Sequence, residues 1–262
     1  MGASFSPPRL RFVSCYPRVS DSEPDALTIH HYFSPCPRGL EALLARELAD
    51  CAATEIREVP GGVHCRGSRE VGYAINLRSR YASRVMRRVA QAAYRDEHDL
   101  YRMALAVEWS KWFGVKHTIR VDVTAVQSPV KSIDFVTLRI KDAVCDRFRD
   151  ETGERPSVST REPDVRIAAF LTATEATLYL DLSGEIEPLR ENLAAGMIAL
   201  AGWDGVEPFF DPMCGGGTIV IEAALIARNI MPGARRSFGF EKLADFDAQL
   251  WNRMREAAKK AE

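Results

Sequence analysis

Apolar positions recur along this chain in two rhythms, one of strands and one of helices. Thr28–Phe33 alternates as a short strand, and Leu40, Leu43, Leu44 and Leu48 line one face of a helix over Leu40–Leu48. Ile56–Val59 and Val63–Cys65 flank Gly61-Gly62 in the manner of a β-hairpin. A second helix is predicted from about Glu70 to Ala93, with Ala74, Leu77, Tyr81, Val85 and Val89 turned inward. Strand, helix, strand, strand, helix is most of a ferredoxin-like unit. Beyond it, Asp99–Gly114 reads as helix with a Trp109/Trp112/Phe113 core cluster, and Thr118–Ala125 as a half-buried strand. After a polar loop at Gln127–Asp134, Phe135–Arg149 forms a helix with Val136, Ile140, Val144 and Phe148 inward. Strands at Val165–Thr172 and Glu175–Leu182 follow, then helices from Arg190 to Ala201 and from Phe246 to Ala261.

One stretch breaks both rhythms. A short apolar run, Phe209 and Phe210, ends in Asp211-Pro212, and Gly215, Gly216 and Gly217 follow before an apolar helix opens at Thr218 and runs to about Asn229. The pattern predicts strand, tight turn and helix, the opening unit of a doubly wound α/β domain. Glycines there let the backbone take positive φ and approach a ligand closely. The turn lacks the Lys-Ser/Thr ending of a phosphate-binding P-loop and the G-x-G-x-x-G spacing of a dinucleotide site.

Composition narrows the reading only in part. The 262 residues are 46% hydrophobic, enough for a substantial core and two or three domains. A formal net charge of −1 leaves any nucleic-acid partner to local clustering. The six cysteines are scattered without C-x-x-C pairs, which argues for reduced thiols and against a structural zinc or a disulfide framework. No apolar run reaches spanning length and Met1–Ser22 has no signal-like apolar core, so the sequence reads as soluble and cytoplasmic, with neither membrane nor metal as partner. Met1–Leu27, with Pro7, Pro8, Pro17 and Pro24, reads as a disordered leader.

Charge does cluster in the second predicted helix. Arg80, Arg84, Arg87 and Arg88 recur at three- and four-residue spacing and would share a helix face suited to RNA phosphates. Taken by itself, such a stripe is more often a solvated helix face.

The residues D-P-M-C-G-G-G-T (Asp211–Thr218) resemble the first motif of class I S-adenosylmethionine-dependent methyltransferases, in the form seen in RNA and DNA amino-methylases. The resemblance implies S-adenosyl-L-methionine as cofactor. Asp211, Gly215 and Gly217 would contact its methionine end, with Pro212, Cys214 and Thr218 in the same turn. F-S-P-C-P-R-G-L-E-A-L-L-A-R-E-L (Phe33–Leu48) is similar to the opening of the THUMP-containing RNA methyltransferases. The strand, S-x-x-K-S loop and helix around Ser128–Ser132 resemble the THUMP domain itself, an RNA-binding module, which implies Lys131, Arg139 and Lys141 as RNA contacts. P-L-R-E-N (Pro188–Asn192) lies at the edge of the cofactor pocket in that family. Arg190 can then face the cofactor carboxylate or RNA, although a salt bridge with Glu191 or Glu187 serves as well.

The resemblance implies an α+β ferredoxin-like domain (28–95), a THUMP domain (96–184), and the first part of a Rossmann-like class I methyltransferase domain (187–262). Relatives usually carry a basic segment before P-L-R-E that is absent here, so the joint at Asp181–Asn192 is unusual. About 75 residues follow Glu187 and include no N-P-P or D-P-P tripeptide, where the family places the residues that clamp the target amine. The chain therefore reads as the N-terminal part of an enzyme that methylates a guanine N2 amine in 23S ribosomal RNA, able to hold RNA but short of a complete active site. A THUMP-type tRNA guanine-N2 methyltransferase and a non-catalytic RNA-binding adaptor are the alternatives.

Overall fold

The computed structural model describes residues 28–184 and 190–262, and the chain divides into two compact units. The predicted leader falls outside the described residues, as does the core of the joint after Gly184.

The first unit holds β1 (His30–Pro35), α1 (Glu41–Asp50), β2 (Thr54–Val59), β3 (Gly62–Gly67) and α2 (Arg69–Arg78). β3 pairs antiparallel with both β2 and β1, giving the order β2-β3-β1. Leu44, Leu48, Val63, Ile75 and Leu77 fill the space between the helices and this sheet. Residues 190–236 and 249–262 belong to the same unit. Gly196 seats against Leu40, whose Cδ1 would lie 2.5 Å from an added Cβ, and the Trp251 ring meets Tyr73 edge-on at 5.9 Å.

The second unit holds β4 (Met86–Ala93), α3 (Glu97–Ala106), β5 (Ile119–Ala125), α4 (Ile133–Thr152), β6 (Val165–Leu171) and β7 (Glu175–Asp181). Its strands lie in the order β4-β7-β6-β5, all antiparallel except β5 and β6. That parallel pair needs a crossover, and α4 supplies it. Ser132 caps α4 by accepting from Phe135 N–H at 3.2 Å, and Gly153 ends it in the left-handed region at φ 77°. Val136, Ile140, Val144 and Phe148 face the sheet as their spacing predicts, and all are fully buried or nearly so. The predicted helix at Asp99–Gly114 is split into α3 and a 3₁₀ turn at Trp109–Lys111, with Trp109 Nε1 donating to the Ala104 carbonyl at 2.8 Å.

This unit also takes back a short segment from late in the chain. Phe240 N–H donates to the Leu182 carbonyl at 2.9 Å, Ala244 N–H to the Trp112 carbonyl at 2.8 Å, and Lys242 Nζ sits 2.7 Å from Asp164. Gly184 and Gly239 lie backbone against backbone, so that a Cβ on Gly184 would stand 2.8 Å from the Gly239 nitrogen.

Two predicted elements are corrected. The long helix from Glu70 to Ala93 does not exist: α2 stops at Arg78 and the chain resumes as β4. The Glu47 carboxylate captures the Arg80 and Tyr81 amides, at 3.0 and 3.3 Å, before they can continue the helix. The Leu77 carbonyl is taken instead by Gly233 N–H at 2.9 Å. The strand predicted before the glycine turn is irregular, because no strand among the described residues pairs with Val206–Phe210.

Candidate functional site

α6 (Thr218–Ala227) springs directly from the glycine turn. Gly215 and Gly217 adopt φ of 53° and 81°, conformations a side chain disfavours, so the sequence needs glycine at both places. Gly217 N–H closes the turn on the Cys214 carbonyl at 2.7 Å, and Ile221 N–H starts the helix on the Gly217 carbonyl at 2.8 Å. Asp211 accepts from Met213 N–H at 3.0 Å, an Asx-type turn that fixes its carboxylate at the mouth of the loop. Pro212, Cys214, Gly215 and Gly216 are exposed, while Asp211, Gly217 and Thr218 are half-buried. A Cβ at Gly216 would meet nothing within 4 Å, and one at Gly215 nothing nearer than the Met213 carbonyl at 4.0 Å. The turn is thus bare backbone facing open space, the shape that fits close approach by a ligand. Arg190 opens α5 (Arg190–Leu200), and its side chain falls outside the described residues.

Large apolar side chains are exposed beside the turn and along α5. Phe210 is 85% exposed and Met213 89%, and Leu193, Met197 and Leu200 form an open stripe on α5 at helical spacing.

The arginine stripe dissolves with the helix that would have carried it. Arg80 lies in the link after α2, 8% exposed, with Nη1 donating to Glu222 at 3.3 Å and Nη2 to the carbonyls of Leu225 and Ile230. Arg87, on β4, is 2% exposed; its guanidinium forms a two-point pair with Asp245, at 2.6 and 3.2 Å, and stacks over the Trp112 ring at 4.4 Å. Arg84 and Arg88 are half-buried, and Arg88 donates to Gln91. Two of the four charges are therefore neutralised inside the protein and offer nothing to phosphate.

Lys131 stands exposed in the loop before α4. Arg139 lies over the Tyr101 ring at 4.3 Å, and Lys141 pairs with Asp142 at 2.8 Å. Arg139 and Lys141 are two residues apart on a helix and point to different sides.

Two carboxylates escaped the sequence reading. Glu222 is the lone charge in an otherwise apolar α6, and Glu47 sits on the inner face of α1; both are buried. A glutamate inside an apolar helical run signals a buried partner, and that signal was present at Glu222. Burial pushes the Glu47 carboxyl up to about 7, although Ser79 and the Arg80 and Tyr81 amides pull the other way. Burial likewise raises Glu222, opposed by Arg80.

Three family descriptions match successive parts of the chain: "RlmL ferredoxin-like domain" over 31–86, "THUMP domain" over 94–181, and "RMKL-like, methyltransferase domain" over 183–262. A ribosomal RNA large subunit methyltransferase K/L of Aeromonas hydrophila is 42% identical over 233 residues, which are 84% of this chain and 32% of that protein. The protein of the same name from Psychromonas ingrahamii is 40% identical over 240 residues, 87% of this chain and 32% of its own length. The chain thus spans about a third of the length of these curated relatives. Among solved structures, SMU.472, a proposed methyltransferase complexed with SAH, superposes with a TM-score of 0.78 at 26% identity, over 89% of this chain and 65% of that one. Among the described residues no helix is long and apolar enough to cross a membrane.

Proposed function

We propose that this chain, which matches ferredoxin-like, THUMP and methyltransferase domain descriptions in succession and resembles ribosomal RNA large subunit methyltransferases K/L, is the RNA-holding part of an enzyme that methylates the N2 amine of a guanine in 23S ribosomal RNA. The observation that carries the reading is the bare glycine turn at Cys214–Gly217, with Gly215 and Gly217 in the left-handed region at the head of α6. It occurs in one chain with a THUMP domain.

S-adenosyl-L-methionine would supply an electrophilic methyl group. Asp211, Gly215 and Gly217 would hold its methionine end, with Pro212, Cys214 and Thr218 in the same turn and Arg190 at the pocket edge. The open backbone at Gly215 and Gly216 leaves room for that approach, and the SAH complex of SMU.472 supports the same cofactor class. The protein's contribution is proximity and orientation of a base taken out of its stack. On the RNA side, Lys131, Arg139, Lys141, Arg84 and Arg88 remain as phosphate contacts. THUMP-type recognition of RNA shape rather than sequence suits so sparse a set of cations. The compartment is the cytoplasm, where ribosomal RNA is processed.

Taken alone, Met1–Glu262 retains RNA and does not transfer methyl groups. The reading of the target as 23S rather than transfer RNA rests on the names of the relatives. Purified Met1–Glu262 should retain under-modified ribosomal RNA on a filter in preference to tRNA, and should incorporate no label from S-adenosylmethionine. Preference for tRNA would shift the substrate, and failure to retain either RNA would defeat the RNA-holding role. Sustained transfer would defeat the claim that the active site is incomplete.

A further inference from the structure

Glu222 lies one turn into α6, 5% exposed, and burying a lone carboxylate there is costly unless a cation meets it. Arg80 meets it and does more. One guanidinium nitrogen holds the Glu222 side chain, while the other reaches the carbonyls of Leu225 and Ile230 at the exit of the same helix. A cation at the C-terminal end of a helix also opposes the partial negative charge of its last carbonyls. The planar fork therefore grips α6 at its body and at its end, fixing both its position along the axis and its rotation.

Arg80 is itself anchored. Its backbone N–H donates to the Glu47 carboxylate of α1, which also takes the Ser79 hydroxyl at 2.6 Å and Tyr81 N–H at 3.3 Å. Nearby, Asn192 of α5 donates to Ser83 Oγ at 2.9 Å. The footing is thus in the ferredoxin-like domain, and the load is the helix that begins at the glycine turn.

We propose that Arg80 is a positioning residue, which sets the placement of Gly215–Thr218 by holding α6 against the ferredoxin-like domain. Its bearing on cofactor affinity rests on the reading of the glycine turn given above. A buried ion pair contributes little net stability over an apolar pair of similar size, but an apolar pair lacks directional bonds. Stability and positioning can therefore be separated.

The test compares the wild-type chain with Arg80→Lys and with the double variant Arg80→Met/Glu222→Met. Hydrogen exchange is measured without ligand, S-adenosylhomocysteine affinity by calorimetry, and RNA retention and the unfolding midpoint alongside. In the double variant the midpoint and RNA retention should stay near wild type. The α6 amides should exchange about tenfold faster, and S-adenosylhomocysteine should bind about tenfold more weakly, the scale of one lost charge-assisted bond. Arg80→Lys, which keeps the charge and loses the fork, should change in the same direction. Exchange in α6 unchanged from wild type in both variants would overturn the positioning role. So would faster exchange spread equally over β1–β3, which would mark general loosening. If the wild-type chain fails to bind S-adenosylhomocysteine, the cofactor reading of the turn falls, and the ligand-free exchange still decides whether Arg80 holds α6.

Discussion

In the segment from β4 to β7, Trp109, Phe113, Ile140, Ile167 and Leu178 are all fully buried, while the exposed apolar residues Val126, Ile133, Phe135, Leu138, Val158 and Phe170 lie outside that core. In the segment from α5 to α6 the balance reverses: Leu193, Met197, Leu200 and Ile221 are about half exposed, and Phe210 is far more so. Yet α6 reads T-I-V-I-E-A-A-L-I-A, a helix apolar on every side but for Glu222, and such a helix is built to be surrounded. The first segment closes its core with its own strands. The second is tied to the ferredoxin-like domain by the Arg80–Glu222 pair, the Asn192–Ser83 bond and the seating of Gly196 on Leu40. Local order and core closure are separate achievements, and the glycine turn has the first without the second.

The contrast can be broken most sharply inside the closed segment. Trp109→Ala removes a fully buried indole and its bond to the Ala104 carbonyl, and should cost about 3–5 kcal/mol in chemical denaturation. A loss below about 1 kcal/mol would mean that this core is far looser than its burial implies.

The next effect is one of pH. Glu47 is held up to about 7 from an ordinary value of 4.5, so the folded protein binds an extra proton between those limits. The stabilisation this group brings is full below about pH 4.5 and is lost as pH rises through about 7, a swing on the order of 3 kcal/mol. Glu47→Gln should remove that part of the slope. Unfolding midpoints of the two proteins recorded across this range would show parallel curves if the prediction is wrong.

Gly217→Ala probes the turn itself. At φ 81° an added Cβ costs about 1–2 kcal/mol. Exchange at the head of α6 should rise while the midpoint of the β4–β7 segment stays put. An equal fall in both would erase the distinction between the regions. The smallest effect belongs to the open stripe: Met197→Ala, at 51% exposure, should change stability by no more than about 0.5 kcal/mol. A cost like that of Trp109→Ala would show that the stripe is covered in solution.

Much of the fold was legible in the sequence, because the decisive signals were local. The β2–β3 hairpin, the α4 face and the positive-φ glycines follow from residues a few positions apart. The false helix over Glu70–Ala93 failed for the opposite reason. Its arginine spacing looked helical, but β4 is defined by pairing with β7, in which Met86 faces Asp181 far along the chain. The amides that would have extended α2 were claimed by Glu47, also distant in sequence. Of the candidate site, the turn's conformation was readable from its glycines. The inward fates of Arg80 and Arg87 were not, since charge at a given spacing does not say which carboxylate will be near.

The backbone contact between Gly184 and Gly239 bears on how such a protein can be recombined. Residues 183–262 match one family description as a continuous block, but the turn at Gly239–Lys242 is folded into the four-stranded unit, hydrogen-bonded to Leu182 and close to Trp112 and Asp164. A crossover at residue 183 would set a foreign turn against Asp181, Leu182, Trp112 and Asp164 of the other parent, where a Cβ at Gly239 would stand 3.1 Å from the Asp181 carbonyl. Chimaeras joined there should unfold early in their β4–β7 half unless residues 237–248 travel with it. The inheritable unit is therefore interleaved along the gene, and homologous exchange must respect three breakpoints rather than one.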